Sequence, residues 1–262
     1  MDWEKRLLPY KQAVDELKAK FDNITVQLEK THHSSPIFSV EYRVKTIPSI
    51  LAKAQRKRIP GDKIEEKIED IAGIRIICRF VDDINDVVDM IRMREDMRIV
   101  HDRNYVDNMK ESGYRSYHLI IEYAVITADG KKRNVFCEIQ IRTMAMDFWA
   151  VLEHNLRYKY RRSIPEDIKR RLARSADAAY MLDTEMNTIR EEIVAAEKTN
   201  RSDEEVIYEI TNIIEELYKV APDSEVKDLY EQFVDIITKQ KSSKLMHFSN
   251  QIRLIAQTYR IR

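Results

Sequence analysis

Glycine is scarce in this chain, with four in 262 residues where average usage is about 7%. That scarcity predicts long helices and few sharp turns, and it makes each glycine informative. Gly73 and Gly113 both fall inside polar motifs. Cysteine is scarcer still. Cys78 and Cys137 lie in apolar, strand-like runs with no Cys or His at ligand spacing. They read as small buried hydrophobes, which argues against a disulfide framework or a zinc site. No apolar run approaches the ~18 residues of a membrane span. The opening Met1-Asp-Trp-Glu-Lys-Arg6 lacks the apolar core of a signal peptide. The expectation is a soluble, cytoplasmic protein with no membrane contact. Net charge is also missing, because 45 Lys and Arg balance 45 Asp and Glu. That balance argues against general polyanion binding as the main task and leaves room for a local basic pocket.

What is present is 44% hydrophobic and 34% charged residues, enough for a real core under a heavily charged surface. The length fits one large domain or one domain with an appendage. Leu7, Tyr10, Val14, Leu17, Phe21 and Ile24 recur at helical spacing and predict a helix over 3–30. Residues 31–36 read as a linker and 37–46 as extended. Pro48 suits a helix start, and that helix runs to Arg58 and stops at Pro60-Gly61. A short charged helix follows over 62–68, a buried strand over 71–80 and a helix over 82–95. Strands are predicted over 97–107, 116–127 and 132–142, the last two joined by an Asp129-Gly130 turn. From Thr143 the pattern is helical, over 143–161 and 165–197, with about three more helices from 203. The class is α+β: a small mixed sheet flanked by helices, with a helical C-terminal extension.

Four constellations carry possible chemistry. Arg43, Lys45, Lys53, Arg56, Lys57 and Arg58 form a basic stretch without an acid. Ser49, Lys53 and Arg56 share a helix face, and Arg43 shares one with Lys45. Such a fan suits a triphosphate; a solvated basic face and an RNA contact are the alternatives. In Asp70-Ile-Ala-Gly-Ile-Arg75, Gly73 permits close approach, and Arg75 needs a partner inside an apolar run. A structural pair between Arg75 and an aspartate is the plainer reading. In Glu138-Ile-Gln-Ile-Arg-Thr143, alternation puts Glu138, Gln140 and Arg142 on one strand face. Polar groups there are costly without polar partners. Asp70 and Glu138 could share a hard cation such as Mg²⁺, or Glu138 could take a proton from a hydroxyl; an edge-strand carboxylate is the bland reading. Lys110, Tyr114 and His118 surround Gly113, and a hydrogen-bonded core histidine is the plain reading of His118. In the helix after the third of these strands, Met144, Met146, Phe148, Trp149 and Leu152 read mostly as core, and Glu153, His154 and Asn155 follow.

The order Arg43-x-Lys45, Asp70-Ile-Ala-Gly-Ile-Arg75, Gly113-Tyr-Arg-Ser-Tyr-His118, Glu138-Ile-Gln-Ile-Arg-Thr143, Trp149-Ala-x-x-Glu-His154 resembles the synthetase domain of the RelA/SpoT family. The match covers roughly residues 1–195, and the chain looks like the stand-alone small alarmone synthetases, RelQ type more than RelP type. The resemblance implies a nucleotidyltransferase-like fold. It implies transfer of the β,γ-pyrophosphate of ATP to the 3′-hydroxyl of GDP or GTP, with AMP released, in the stringent response. Asp70 and Glu138 would bind Mg²⁺, and Glu138 would activate the hydroxyl. Arg43 and Arg75 would hold adenine. Lys45, Ser49, Lys53 and Arg56 would grip the ATP phosphates, with Arg103 a further contact. Tyr114 would stack on guanine, and Lys110, Ser116, His118, Gln140 and Asn155 would contact the acceptor nucleotide.

The resemblance further implies a homo-oligomer, a tetramer, and divides the chain into 1–36, a synthetase domain over 37–197 and an extension over 198–262. Few residues precede the synthetase core, and His101-Asp102 is the sole His-Asp pair, so a synthetase without the family's hydrolase domain is expected. Ser35-Pro-Ile-Phe-Ser-Val-Glu41 departs from the pattern of the cleft that binds an activating pppGpp, and the tail has no counterpart in the family pattern. Rival readings are a transferase acting on another acceptor, a silent scaffold and an RNA-binding regulator. The last draws on Arg157, Lys159, Arg161, Arg162, Lys169, Arg170, Arg171 and Arg174, interleaved with Tyr158 and Tyr160. Single-stranded RNA binding as a side activity fits the same cluster.

Overall fold

A computed structural model describes residues 2–32, 34–159, 165–239 and 242–259. It divides into two compact units, Met1–Thr188 and Ile189–Arg262. The first unit is built on a five-stranded mixed sheet in the order β1-β2-β5-β4-β3. The strands are β1 (Ile37–Val44), β2 (Ala72–Cys78), β3 (Arg98–Asn104), β4 (Tyr117–Ile126) and β5 (Lys132–Thr143). β2 and β5 run parallel, and the other neighbours are antiparallel.

The sheet has two unlike faces, as strand alternation requires. Ile74, Ile76, Leu119, Ile121, Cys137, Ile139 and Ile141 join one core with Val14, Leu17 and Phe21 of α1 (Trp3–His32) and Ile84, Val87, Val88 and Ile91 of α4 (Val81–Arg92). Fully burying each large side chain contributes about 1.5–3 kcal/mol. The other face carries the polar set. α2 (Ile47–Lys57) follows β1, and the short α3 (Ile64–Lys67) precedes β2. α5 (Met144–Lys159) starts where β5 ends, and α6 (Glu166–Val220) follows. Both cysteines are buried and free.

The second unit holds the last part of α6 with α7 (Asp223–Thr238) and α8 (Ser242–Thr258). Its own core contains Ile210, Leu217, Val226, Phe233, Phe248 and Ile252. Phe233 and Phe248 stack at 6.1 Å. The helix break expected between 197 and 203 is absent, because α6 runs through it. Lys198-Thr-Asn-Arg-Ser-Asp203 contains no Pro or Gly to stop a helix. Among the described residues no helix is long and apolar enough to cross a membrane.

One buried contact ties α6 to the end of β5. The Thr143 hydroxyl donates to Asp183 at 2.5 Å and accepts the Met146 amide at 3.1 Å, capping α5. Burial pushes the Asp183 carboxyl up to about 6. A folded pKa above the unfolded one means that the native state holds the proton more tightly. The resulting stabilisation is present at acid pH and is lost as the pH rises through about 6. We expect Asp183→Asn to be more stable than wild type by about 1–2 kcal/mol near neutral pH, with the gain vanishing near pH 4. Urea unfolding at the two pH values checks this, and an equal gain at both would reject it.

Candidate active site

Strand register assembles the polar face in rows. One row crosses all five strands as Glu41, Arg75, Gln140, His118 and Arg103, and the next runs Arg43, Gly73, Glu138, Ile120 and His101. A cleft of about 180 Å³ opens over β1, β2 and β5, lined by Glu41, Arg43, Asp70, Gly73, Arg75, Glu138 and Gln140 among others. The absent side chain of Gly73 leaves Arg43 lying over it; a Cβ there would meet the Arg43 side chain at 3.7 Å, an ordinary contact.

Glu138 is held from both sides. His118 Nδ1 lies 3.0 Å from its Oε1, and Gln140 Nε2 donates to its Oε2 at 2.8 Å. Arg142, which is 3% exposed, donates to Gln140 Oε1. Burial would raise the Glu138 carboxyl, but the His118 and Gln140 hydrogen bonds outweigh it and hold it below the usual carboxylate range. A carboxylate only accepts, so Nδ1 carries the shared proton; Nε2 shares a second hydrogen bond with the Tyr114 hydroxyl at 2.9 Å. Burial also raises the Tyr114 phenol, which keeps it protonated. Tyr105, Tyr114 and His118 meet edge to face, and Lys110 Nζ stands 4.4 Å and 4.8 Å from the two tyrosine ring centres.

Lys45 and Lys53 both donate to Asp70 Oδ2, at 2.8 Å and 2.5 Å. Burial would raise the Asp70 carboxyl, yet the two ammonium groups hold it low. Its Oδ1 is buried without a hydrogen-bond partner. That orphan oxygen shares the cleft with Glu138, a donor pair that suits a hard divalent cation completed by substrate oxygens. Among the described residues no cluster of three or more such side chains is placed for a metal. Arg56 stands exposed in the last turn of α2, and Ser49 shares a 2.8 Å hydrogen bond with Thr46 at its start.

The remaining residues singled out in the sequence have these surroundings. Arg75 pairs with Glu41 at 3.2 Å and with Asp147 at 3.3 Å, so the expected arginine–aspartate pair is made with Asp147, while Asp70 precedes β2 and is taken by the two lysines. Ser116 is fully buried, and its hydroxyl donates to the Ile141 carbonyl at 3.2 Å, which joins the start of β4 to β5. Asn155 lies exposed on α5, outside the set lining the cleft. Arg103 lies near Glu69 at 3.8 Å, and His101 binds the same carboxylate at 2.9 Å. Met144, Phe148 and Leu152 are exposed instead of core, because α5 turns its Met146, Trp149 and Ala150 side inward. Asp147, which also pairs with Arg142 at 3.5 Å, and Tyr105 went unremarked in the sequence. An acid in a helix's first turn reads as a dipole partner, and a lone tyrosine beyond a strand carries no signal. In the basic cluster, Arg157, Lys169, Arg170, Arg171 and Arg174 are exposed, and Tyr160, Arg161 and Arg162 lie outside the described residues.

Comparison with known proteins agrees with this arrangement. A sequence model described as "Region found in RelA / SpoT proteins" matches residues 42–163. The chain is 51% identical to the GTP pyrophosphokinase YjbM of Bacillus subtilis (strain 168) over 195 residues, covering 74% of this chain and 92% of that protein. The chain belongs to the RelA/SpoT family. Among solved structures, small alarmone synthetase 1 from Bacillus subtilis bound to its product pppGpp matches with a TM-score of 0.70 at 51% identity, over 73% of this chain and 97% of that one. The same enzyme bound to AMPCPP matches with a TM-score of 0.65 at 47% identity, over 74% and 98%. Within the RelA/SpoT family this chain therefore groups with the small alarmone synthetases, and their mixed sheet with flanking helices is the fold described above. Each of these matches leaves about a quarter of this chain uncovered.

The run Gly113-Tyr-Arg-Ser116 depends on a glycine seated against α6. Gly113 has φ +85°, and its amide donates to the Lys110 carbonyl at 2.8 Å. A Cβ there would lie 2.6 Å from the Ala176 Cβ and 3.3 Å from Ala173 backbone. We expect Gly113→Ala to destabilise the first unit by about 2 kcal/mol or more, through both strain and overlap. Thermal unfolding reads this directly, and an unchanged Tm would show that the loop moves away freely.

Proposed function

We propose that this protein is a (p)ppGpp synthetase, a GTP pyrophosphokinase that moves the β,γ-pyrophosphate of ATP to the 3′-hydroxyl of GDP or GTP and releases AMP. The observation that carries the reading is the Glu138 carboxyl, held by His118 and Gln140 and facing the same cleft as Asp70, Arg43 and Arg75. It is supported by relatives named GTP pyrophosphokinase and by neighbours solved with pppGpp and AMPCPP.

In this mechanism Glu138 takes the 3′-hydroxyl proton as the oxygen attacks the β-phosphorus. The bond from that phosphorus to the α,β-bridging oxygen breaks, and AMP leaves. Arg43 and Arg75 hold the adenine by stacking guanidinium planes. Lys45, Lys53 and Arg56 take the triphosphate, with Ser49 at the start of α2 and Arg103 from β3. Tyr114 and Lys110 receive the guanine side, and Gln140 orients Glu138. Asp70 and Glu138 would hold Mg²⁺. When bound, that ion neutralises charge on the transferring phosphoryl oxygens. Positioning and charge neutralisation supply most of the rate in such transfers. The protein works in the cytoplasm, where its nucleotides are. Exposed Lys169, Arg170, Arg171 and Arg174 support a side activity on single-stranded RNA.

A homo-oligomer, tetrameric by resemblance, is supported by α5, which exposes Met144 at 47%, Phe148 at 68%, Val151 at 39% and Leu152 at 45%. Phe148→Glu is expected to shift the mass in light scattering toward a smaller species; an unchanged mass would exclude this face.

The activity is tested with γ-labelled ATP, Mg²⁺ and either GDP or GTP. Label should appear on the guanosine nucleotide with matching AMP. Glu138→Gln should keep the fold and lower turnover at least about 100-fold, the scale of a lost general base. Normal turnover in that variant would end the assignment of Glu138.

A further inference from the structure

Tyr114, His118 and Glu138 form one chain: the phenol and Nε2 share a hydrogen bond at 2.9 Å, and Nδ1 donates to Oε1 at 3.0 Å. His118 is 7% exposed, and both ring nitrogens are occupied. It therefore has no free donor or acceptor to offer a nucleotide, although the resemblance places it among acceptor contacts. Its ring is fixed further by edge-to-face packing on Tyr105 at 5.2 Å and Tyr114 at 5.8 Å.

We propose that His118 is a positioning residue that fixes the Glu138 carboxylate through its Nδ1–H and couples that carboxylate to the Tyr114 hydroxyl. This rests on the synthetase reading of the same site. Gln140 holds Oε2 and His118 holds Oε1, so the carboxylate plane is set by two donors from neighbouring strands. Tyr114 lies at the acceptor end of the chain. Seating of a guanine against its ring bears on the phenol, and the imidazole passes that displacement to the group that takes the ribose proton. Acceptor recognition and orientation of the base are thereby parts of one element, and ATP alone leaves it unengaged.

The two ring nitrogens can be tested separately. An asparagine amide nitrogen falls where Nδ1 is, and a glutamine amide reaches the Nε2 position. His118→Asn keeps a donor toward Glu138 and loses the link to Tyr114, whereas His118→Gln keeps the link and loses the donor. We expect His118→Gln to lower kcat about 10- to 100-fold, the scale of a misplaced catalytic group, with KM for ATP and for GDP within about threefold of wild type. His118→Asn should recover at least about tenfold over His118→Gln. Tyr114→Phe removes one oxygen and keeps the packing, so it carries the test should the His118 variants fold poorly. It should lower kcat with little change in acceptor KM, and it should add nothing further in the His118→Gln background. Equal kcat in the Asn and Gln variants, or an unchanged kcat in Tyr114→Phe, would overturn the proposal. So would a raised acceptor KM at normal kcat, which marks a direct contact. Failure of the underlying reading is seen earlier and separately, as wild-type protein that transfers no label to GDP or GTP.

Discussion

A charged carboxylate in the middle of a five-stranded sheet is the constraint on which the rest of this structure depends. Glu138 is on β5, flanked on one side by β2 and on the other by β4. Removing such a group from water is costly unless its oxygens are met by donors. The chain meets them with a histidine from β4 and an amide two residues further along β5. Those donors need partners in turn, and Tyr114 and Arg142 provide them. The polar face is therefore a connected network and not a scatter of tolerated charges.

The two carboxylates of the cleft are kept ionised by different means. Asp70 is held by full charges, the ammonium groups of Lys45 and Lys53. Glu138 is held by hydrogen bonds from His118 and Gln140. A triphosphate competes for ammonium groups far more strongly than for an amide or an imidazole. In the proposed reaction, nucleotide binding therefore rearranges the surroundings of Asp70 and leaves those of Glu138 in place. That division suits one residue that meets a changing ligand set and another that must keep its aim.

Much of this was legible in the sequence because strand alternation is a strict rule. Glu138, Gln140 and Arg142 share a face as their spacing requires, and the last three strand predictions fall within a few residues of β3, β4 and β5. Pro48 and Pro60 bracket α2 as expected. What could not be read was pairing across the sheet. Arg75 needed a partner, but which acid it met depended on β1 lying beside β2 and on α5 bringing Asp147 over the end of β5. Ser116 has the composition of a ligand contact and the location of a strand tie, and only register separates the two. The run through 197–203 looked like a break because it is polar, yet polarity without Pro or Gly does not end a helix.

Gly73 separates two demands that usually coincide. Nothing in the folded chain forbids a methyl group there, since the nearest atoms would be at ordinary contact distance and the backbone is not in the left-handed region. The folded state alone is therefore nearly indifferent between glycine and alanine at this position. Any intolerance must arise from an occupant of the cleft between Arg43 and Glu138. Selection for folding and selection for occupancy would thus give different answers at this one site, and a population of variants sorted first by solubility and then by activity would lose Gly73→Ala only at the second step.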